Sequence, residues 1–344
     1  MGYKEIIQDN CEHHSSFPWW PKLAYHYTDV KNAVSILSSG TLYSRAKAEH
    51  LGVMKNDNAS RQVIDMTKTN AISCVRFYFR PLTPTQYYNE GFKHPQLRYD
   101  NDDNANTPVP IFFTFDLEKL LSTPGVKFSE QKQAGYGSDL CSGEDAFAKM
   151  NFDYIYSTDF DNLAEKKPYR HAEILHPNSF PIDNCLYSIL CRNSIERLTL
   201  LNLLKAENQL AFRKYRDRIK VYNSGMFEEN SLFVTDCQYN SGVISLSFSE
   251  PYKRKYYTDS MKKKNCVKNL KPIKLRLALD WYNNRTTIYH QDISANLDYE
   301  SPNNLTFTNL PYYSGAKFLS VKVYLENELM CFMEYTLSDA ELLK

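Results

Sequence analysis

The 344-residue sequence has almost no net charge, because 41 basic residues stand against 40 acidic residues. A global basic field that would attract nucleic acid is therefore excluded, and any such contact must come from local patches. None of the eight cysteines forms a C-x-x-C spacing, so a zinc ribbon is not expected, and we predict no metal. In a chain of this length, the cysteines are typical of reduced thiols in the cytoplasm.

Long apolar runs are also missing. No stretch of 18 consecutive apolar residues occurs, so no membrane-spanning helix is predicted. The first ten residues are mostly polar and lack the apolar core of a signal peptide. We therefore expect a cytoplasmic protein without a membrane partner. Hydrophobic and aromatic residues are plentiful, at 42% and 14%, which suits a β-rich core and surfaces that stack on flat ligands.

The pattern of predicted elements differs between the two parts of the chain, whose length is typical of two domains. The first part combines strands, such as those predicted at 23–27 and 75–79, with helices. One helix is expected from Asp29, a favourable N-cap, to Leu37, with Gly40 at its end.

Further helices are predicted at 58–66 and 194–220, the second being the longest helical pattern. From Leu232 onward, short runs of period two alternate with turns, which predicts a β-sandwich. The expected fold class is α+β, with a first domain over 1–222 and a β-sandwich domain over 228–344.

A histidine stands at the end of the first predicted strand, in the run Tyr25-His26-Tyr27-Thr28. Facing the start of a helix, His26 could bind a ribose hydroxyl or a phosphate. The unpaired N–H groups at the helix start would favour a pyrophosphate. The alternative is a histidine that caps the following turn.

A second cluster combines basic and aromatic residues, with Arg61 followed by Arg76, Tyr78, Phe79 and Arg80. A strand with these side chains could clamp a flat cationic ring. The alternative is an edge strand with one solvated face.

The third cluster places Glu173 in a short apolar strand flanked by Arg170, His171 and His176. Nearby positive charge keeps a carboxylate ionised. Such a carboxylate could stabilise the charge on a ribose as nicotinamide leaves, or act as a general base toward an acceptor. The alternative is a structural ion pair with Arg170.

Taken in this order, the three clusters resemble the motifs of the DarT family of nucleic-acid base ADP-ribosyltransferases. The matching segments are residues 23–28 with Asn32, Ile36, Leu37 and Gly40, residues 75–84 with Pro81 and Pro84, and residues 170–175 around Glu173. The resemblance spans about residues 20–220 and leaves the C-terminal extension outside.

The resemblance implies a split mixed sheet with a cleft for NAD, and transfer of ADP-ribose from NAD to a base of single-stranded nucleic acid. DNA is the favoured acceptor and RNA is possible. Glu173 would be the catalytic carboxylate, Arg61 would support catalysis, and the loop 132–161 would lie near the acceptor base. The biological setting implied is a toxin or phage-defence effector, with an antitoxin protein as a possible partner.

The same resemblance assigns the contacts with NAD. His26, Thr28 and Asn32 would hold the ADP-ribose half, and Tyr78 and Phe79 would lie near the nicotinamide.

The C-terminal extension carries a run of nine basic residues between Lys253 and Lys274, together with three tyrosines. Phosphate neutralisation by Lys262, Lys263 and Lys264, combined with stacking, would suit a sequence-tolerant nucleic-acid groove. The alternative is a solvated lysine-rich loop.

Two other functions stay open on the sequence alone. One is a transferase directed at RNA or protein, and the other is a catalytically inactive module that binds NAD or a partner. The presence of both His26 and Glu173 argues against an inactive module.

Overall fold

The computed structural model describes residues 1–14, 17–56, 69–99, 102, 106–133, 138–159, 161, 163–222, 225–284 and 286–337. The helices in these ranges are α1 (Tyr3–His13), α2 (Val30–Ser39), α3 (Arg45–His50), α4 (Thr69–Ile72), α5 (Pro84–Asn89), α6 (Leu117–Leu121), α7 (Glu144–Phe147), α8 (Phe152–Ile155), α9 (Leu163–Lys166), α10 (Ser194–Glu207), α11 (Gln209–Tyr215) and α12 (Pro251–Lys264). The strands are β1 (Leu23–Asp29), β2 (Thr41–Tyr43), β3 (Cys74–Tyr78), β4 (Pro110–Asp116), β5 (Lys127–Ser129), β6 (Glu173–Pro177), β7 (Ser179–Pro181), β8 (Leu186–Cys191), β9 (Ile219–Val221), β10 (Val234–Asn240), β11 (Val243–Phe248), β12 (Ile273–Asn283), β13 (Thr286–Leu297), β14 (Leu305–Phe307), β15 (Phe318–Leu325) and β16 (Glu328–Thr336). No helix in these ranges is long and apolar enough to cross a membrane.

The described residues of the first part fold around a seven-stranded sheet in the order β5-β6-β3-β1-β4-β8-β9. Neighbouring strands are antiparallel except for the parallel pair β8 and β9. Phe112, Phe113 and Phe115 of β4 are almost completely buried although they point to both faces. Both faces of the sheet are therefore covered, which confirms the α+β class with a mixed sheet.

The sheet opens between β1 and β3. Among the described residues, these two strands pair at Tyr25 and Tyr78 alone, whereas β1 pairs with β4 along all of 23–29. Beyond that single pair the two halves of the sheet diverge, and side chains from both strands face a common cavity. The split that the resemblance implies is present at this point.

The helix predicted after the first strand is confirmed. The Asp29 carboxylate accepts a hydrogen bond from the Lys31 N–H at 2.9 Å, which caps the start of α2. Gly40 has φ +67°, a left-handed conformation that glycine adopts readily, and it ends the helix. These two caps fix α2 beside the opening between β1 and β3.

Two predicted elements are corrected. The helical pattern at 194–220 is broken into α10 and α11, because the Asn208 side chain caps a new helix by accepting from the N–H groups of Leu210 and Ala211. The alternative of a lysine-rich loop after Lys253 is wrong, since most of that run is the helix α12. The helix expected at 58–66 lies outside the described residues.

The C-terminal part contains two antiparallel sheets in the described residues, ordered β10-β11-β14 and β13-β12-β15-β16. Leu246 of β11, Leu277 of β12 and Val323 of β15 belong to one buried core, so the two sheets face each other. The Tyr335 hydroxyl adds a hydrogen bond of 2.6 Å to the Cys237 carbonyl across them. The β-rich C-terminal region that the period-two runs predicted is therefore confirmed.

A buried carboxylate joins the two parts. Glu90 is completely buried and accepts hydrogen bonds from the N–H groups of Glu228 and Glu229, both at 2.9 Å. Arg192, directly after β8, lies 3.4 Å from the same carboxylate. Phe92 and Ile195 also pack into the C-terminal core. The sequence boundary proposed at 222–228 therefore does not coincide with a gap in the packing.

Candidate active site

A cavity of about 260 Å³ lies where the sheet opens. Ligand sites in proteins span about 300–1,000 Å³, so this volume lies just below that range. Its lining includes four side chains of the predicted site, which are His26, Thr28, Asn32 and Tyr78. Arg76 of β3 also lines it. The split sheet thus brings most of the predicted NAD contacts to one place.

Arg76 and Glu173 form an ion pair beside this cavity. Glu173 lies opposite Tyr78 in the register of β3 and β6, so Arg76 is its diagonal neighbour on the same face. The Arg76 Nε and Nη2 atoms donate to the two carboxylate oxygens at 2.8 and 2.5 Å. Glu173 is 2% exposed and Arg76 is 28% exposed. The bidentate geometry fixes the carboxylate against Arg76, which lines the cavity, whereas Glu173 itself is absent from the described lining.

The predicted alternative of an ion pair between Glu173 and Arg170 is wrong. The Arg170 guanidinium instead bonds to the Ser157 hydroxyl at 3.2 Å and to the Asp159 carbonyl. Arg170 therefore anchors the segment near Ser157, within the predicted acceptor loop 132–161, next to the strand of Glu173. The alternative of an edge strand for Arg76 is also wrong, because β3 lies between β6 and β1.

The Glu173 carboxylate favours the charged form of Arg76. Burial lowers the pKa of Arg76, but the Glu173 carboxylate opposes this effect, and the net pKa of Arg76 is raised. Burial, followed by the positive charge of Arg76, lowers the pKa of His171 to about 3. His171 is therefore neutral near neutral pH and does not compete with Arg76 for the carboxylate.

His26 is held in one tautomer. Its Nδ1 atom lies 3.0 Å from the Arg76 carbonyl oxygen, which can only accept, so Nδ1 carries the proton. Burial lowers the pKa of His26, so the ring is neutral and its Nε2 atom is a hydrogen-bond acceptor. The predicted alternative, a histidine that caps the following turn, is wrong because its recorded partner lies on β3.

Asn32 lines the cavity, but its side-chain amide forms hydrogen bonds with the protein backbone. Its Oδ1 atom accepts from the N–H groups of Lys55 and Asn56 at 2.8 and 3.0 Å, and its Nδ2 atom donates to the Asn56 carbonyl at 2.7 Å. Asn32 therefore holds the segment 53–56 against α2. Val53, Met54 and Asn56 of this segment form part of the cavity wall.

Tyr78 and Phe79 point to opposite faces of β3, as successive strand residues do. Tyr78 lines the cavity, whereas Phe79 is completely buried on the other face. The Phe79 ring packs against Phe147, with ring centroids 6.1 Å apart. The structure therefore brings Tyr78 to the site but places Phe79 in the core.

The remaining predicted residues lie elsewhere. Arg61 falls outside the described residues. Lys262, Lys263 and Lys264 form the end of α12 and are absent from the described lining of the cavity. Lys262 pairs with Glu300 at 2.5 Å.

Sequence reasoning missed the pairing of Arg76 with Glu173, and it missed the contribution of Tyr43 and Arg45 to the cavity wall. Arg45 also pairs with Glu49 at 3.1 Å. Side chains alternate between the two faces of a strand, so Arg76 and Tyr78 share one face of β3, and this pattern could have indicated the pairing of Arg76 with Glu173. No group of three or more metal-ligating side chains is found in the described part of the chain.

Comparison with known proteins identifies the class and then the family. A family model described as "ssDNA thymidine ADP-ribosyltransferase, DarT" matches residues 25–223, which is more than half of the chain. The protein is thus an NAD-dependent ADP-ribosyltransferase. The chain belongs to the DarT family, whose acceptor is thymidine in single-stranded DNA. The predicted activity, the use of NAD and the preference for DNA are confirmed.

Solved structures similar to this chain include Thermus sp. 2.9 DarT in complex with carba-NAD+, at 16% identity and a TM-score of 0.46, covering 60% of this chain and 98% of that chain. The same protein in complex with ADP-ribosylated ssDNA matches at 16% identity and a TM-score of 0.48, covering 59% and 94%. Thermosipho africanus DarTG in complex with ADP-ribose matches at 14% identity and a TM-score of 0.45, covering 59% and 50%. No curated protein matches the chain.

Proposed function

We propose that the cavity at the opening of the sheet binds NAD+ and that Glu173 is the catalytic carboxylate. The observation that carries this proposal is the bidentate pair that Glu173 forms with Arg76, a residue of the cavity wall. As the bond from nicotinamide to the ribose C1′ breaks, positive charge develops on the ribose. A fixed, buried carboxylate stabilises that charge without having to reorganise.

Arg76 is a positioning residue in this scheme. Each Glu173 oxygen accepts one hydrogen bond from Arg76, and each retains a further lone pair. One of these lone pairs can accept from a ribose hydroxyl while the guanidinium holds the carboxylate in place. After nicotinamide departs, the thymine base attacks C1′, and Glu173 is the available group to take up the proton that the base releases.

We propose that His26 and Thr28 bind NAD+ from β1, and that Tyr78 binds it from β3, across the opening of the sheet. The free Nε2 atom of neutral His26 suits a ribose hydroxyl, which would donate to it. Asn32 contributes indirectly by holding the segment 53–56 as a wall of the site.

We propose the cytoplasm as the place of action, because all eight cysteines are present as free thiols. ADP-ribose on a thymine adds a large charged group to a DNA base. Expression should therefore slow growth, as expected of a toxin or defence effector, and an antitoxin protein is a reasonable partner.

The test is Glu173→Gln, which keeps the size of the side chain and removes its charge. With a thymidine-containing single-stranded oligonucleotide, we expect NAD+ consumption to fall at least about 100-fold, because the lost interaction acts in the transition state. NAD+ affinity, measured by calorimetry, should change little, and this binding also reports that the variant is folded. The matched control is Glu118→Gln on α6.

Oligonucleotides without thymidine and an RNA of the same sequence complete the experiment. Wild-type enzyme should consume NAD+ with the thymidine-containing DNA and not with these two. Near-normal turnover by Glu173→Gln would show that another group carries the chemistry.

A further inference from the structure

The helix α12 presents an outer face that is not used by either core. Tyr252 and Tyr256, one turn apart on this face, are 71% and 79% exposed. Lys263 continues the same stripe at helical spacing, and Lys255 lies beside it. Tyr252 and Tyr256 thus form a small exposed aromatic patch among lysines.

The orientation of this face is fixed by the buried side of the helix. Arg254, Tyr257 and Met261 are almost completely buried. The Tyr257 hydroxyl donates to the Leu97 carbonyl at 3.0 Å, and the Arg254 Nε atom donates to the Tyr299 carbonyl at 2.8 Å. Because these contacts prevent rotation of α12, Tyr252 and Tyr256 form a preorganised platform in solvent.

The charge on this platform is available. Lys253 and Lys262, on the flanks of the helix, form ion pairs with Glu229 and Glu300. Within the described residues, no acidic side chain forms an ion pair with Lys255 or Lys263. Lys255 and Lys263 are therefore available beside the exposed tyrosines, with the exposed Asp259 between them at helical spacing.

The buried side of α12 packs against α5, which forms part of the cavity wall. Gln86 and Asn89 of α5 line the cavity. Between them, Tyr87 packs edge-on against Tyr257 of α12, with ring centroids 5.6 Å apart. α12 is thus linked to the cavity wall by direct packing of Tyr257 on Tyr87.

We propose that the outer face of α12 binds the single-stranded DNA that flanks the target thymidine. Bases stack on Tyr252 and Tyr256, and backbone phosphates contact Lys255 and Lys263. Stacking on aromatic rings combined with lysine contacts holds single strands without reading their sequence. The inference rests on the proposed function of the cavity, because it assigns the strand on α12 to the substrate that the cavity modifies.

The experiment measures binding of a labelled thymidine-containing single strand to the full chain in the absence of NAD+. Two variants are compared with wild type: Tyr252→Ser with Tyr256→Ser, and Lys255→Glu with Lys263→Glu. The matched controls are Tyr187→Ser, an exposed tyrosine on β8, and Lys4→Glu with Lys220→Glu, two exposed lysines of the first part. Oligonucleotides of about 4 and about 16 nucleotides separate the cavity from the extended surface.

For the long oligonucleotide, the tyrosine variant should raise the Kd about fivefold or more for each stacked base. The lysine variant should weaken binding and lower the slope of log K against log salt by about 1.4, because each single-strand phosphate contact contributes about 0.7. Controls should match wild type. Turnover of NAD+ with the short oligonucleotide should be unchanged in all variants.

Equal affinity and equal salt slopes for wild type and both α12 variants on the long oligonucleotide would overturn the proposal and leave this face to a protein partner. Loss of turnover with the short oligonucleotide would also overturn it, because the residues would then act in the cavity. Failure of the proposed function would be seen separately, as an absence of NAD+ consumption by the wild type.

Discussion

Replacing Arg76 by alanine would remove the recorded partner of a carboxylate that is 2% exposed. Breaking a buried ion pair by removing one partner costs about 3–5 kcal/mol, because the other charge stays buried. Arg76 is itself 28% exposed, so water screens the pair and a cost of about 3 kcal/mol is expected. At roughly 2–4 °C per kcal/mol, the melting temperature should fall by about 6–12 °C.

The assay is thermal unfolding followed by circular dichroism, with Arg276→Ala as the control. Arg276 pairs with Asp292 at 2.9 Å, but both side chains are well exposed, so its loss should cost less than about 1 kcal/mol. The double variant Arg76→Met with Glu173→Gln removes both charges and should recover much of the lost stability. Equal, small shifts for Arg76→Ala and Arg276→Ala would refute the reasoning that Arg76 compensates the Glu173 charge.

Two further predictions concern His26 and Phe79. Burial lowers the pKa of His26, so the ring is neutral at and above its ordinary pKa. The affinity of the protein for NAD+ should be constant in that range and should fall as the pH drops through the lowered pKa and His26 becomes protonated. His26→Ala should raise the Kd for NAD+ about 5- to 150-fold, equivalent to 1–3 kcal/mol, and should abolish this acid-dependent loss; calorimetry that finds the same pH dependence in the variant would contradict the assignment. Phe79→Leu should cost about 1–2 kcal/mol of stability through imperfect core packing, without changing NAD+ affinity. A weaker NAD+ affinity at unchanged stability would instead restore Phe79 to the site.

Local sequence signals located the parts of the site that lie within one element. Asp29 and Gly40 marked both ends of α2 because caps act on their own helix. The apolar surroundings of Glu173 marked a buried strand. What local signals could not supply was the partner of Glu173, since Arg76 is 97 residues away and meets it only through strand register.

Two errors conflict with the periodicity of their elements. The resemblance placed Phe79 beside Tyr78 near the nicotinamide, although adjacent strand residues face opposite sides. In α12, the buried residues Arg254, Tyr257 and Met261 follow helical spacing, which indicates a helix. The lysines around them suggested a solvated loop instead. Arg61 and the residues around it lie outside the described ranges, and its catalytic role remains a prediction.

The buried carboxylate of Glu90 has a consequence for dissecting this protein. A chain cut after residue 223 would retain the whole segment that matches the family model, yet Glu90 would lose the N–H groups of Glu228 and Glu229. The apolar surface of Phe92 and Ile195 would also be uncovered. We therefore expect a chain truncated after residue 223 to be less stable than the full chain, because the extension satisfies Glu90 and covers this apolar surface.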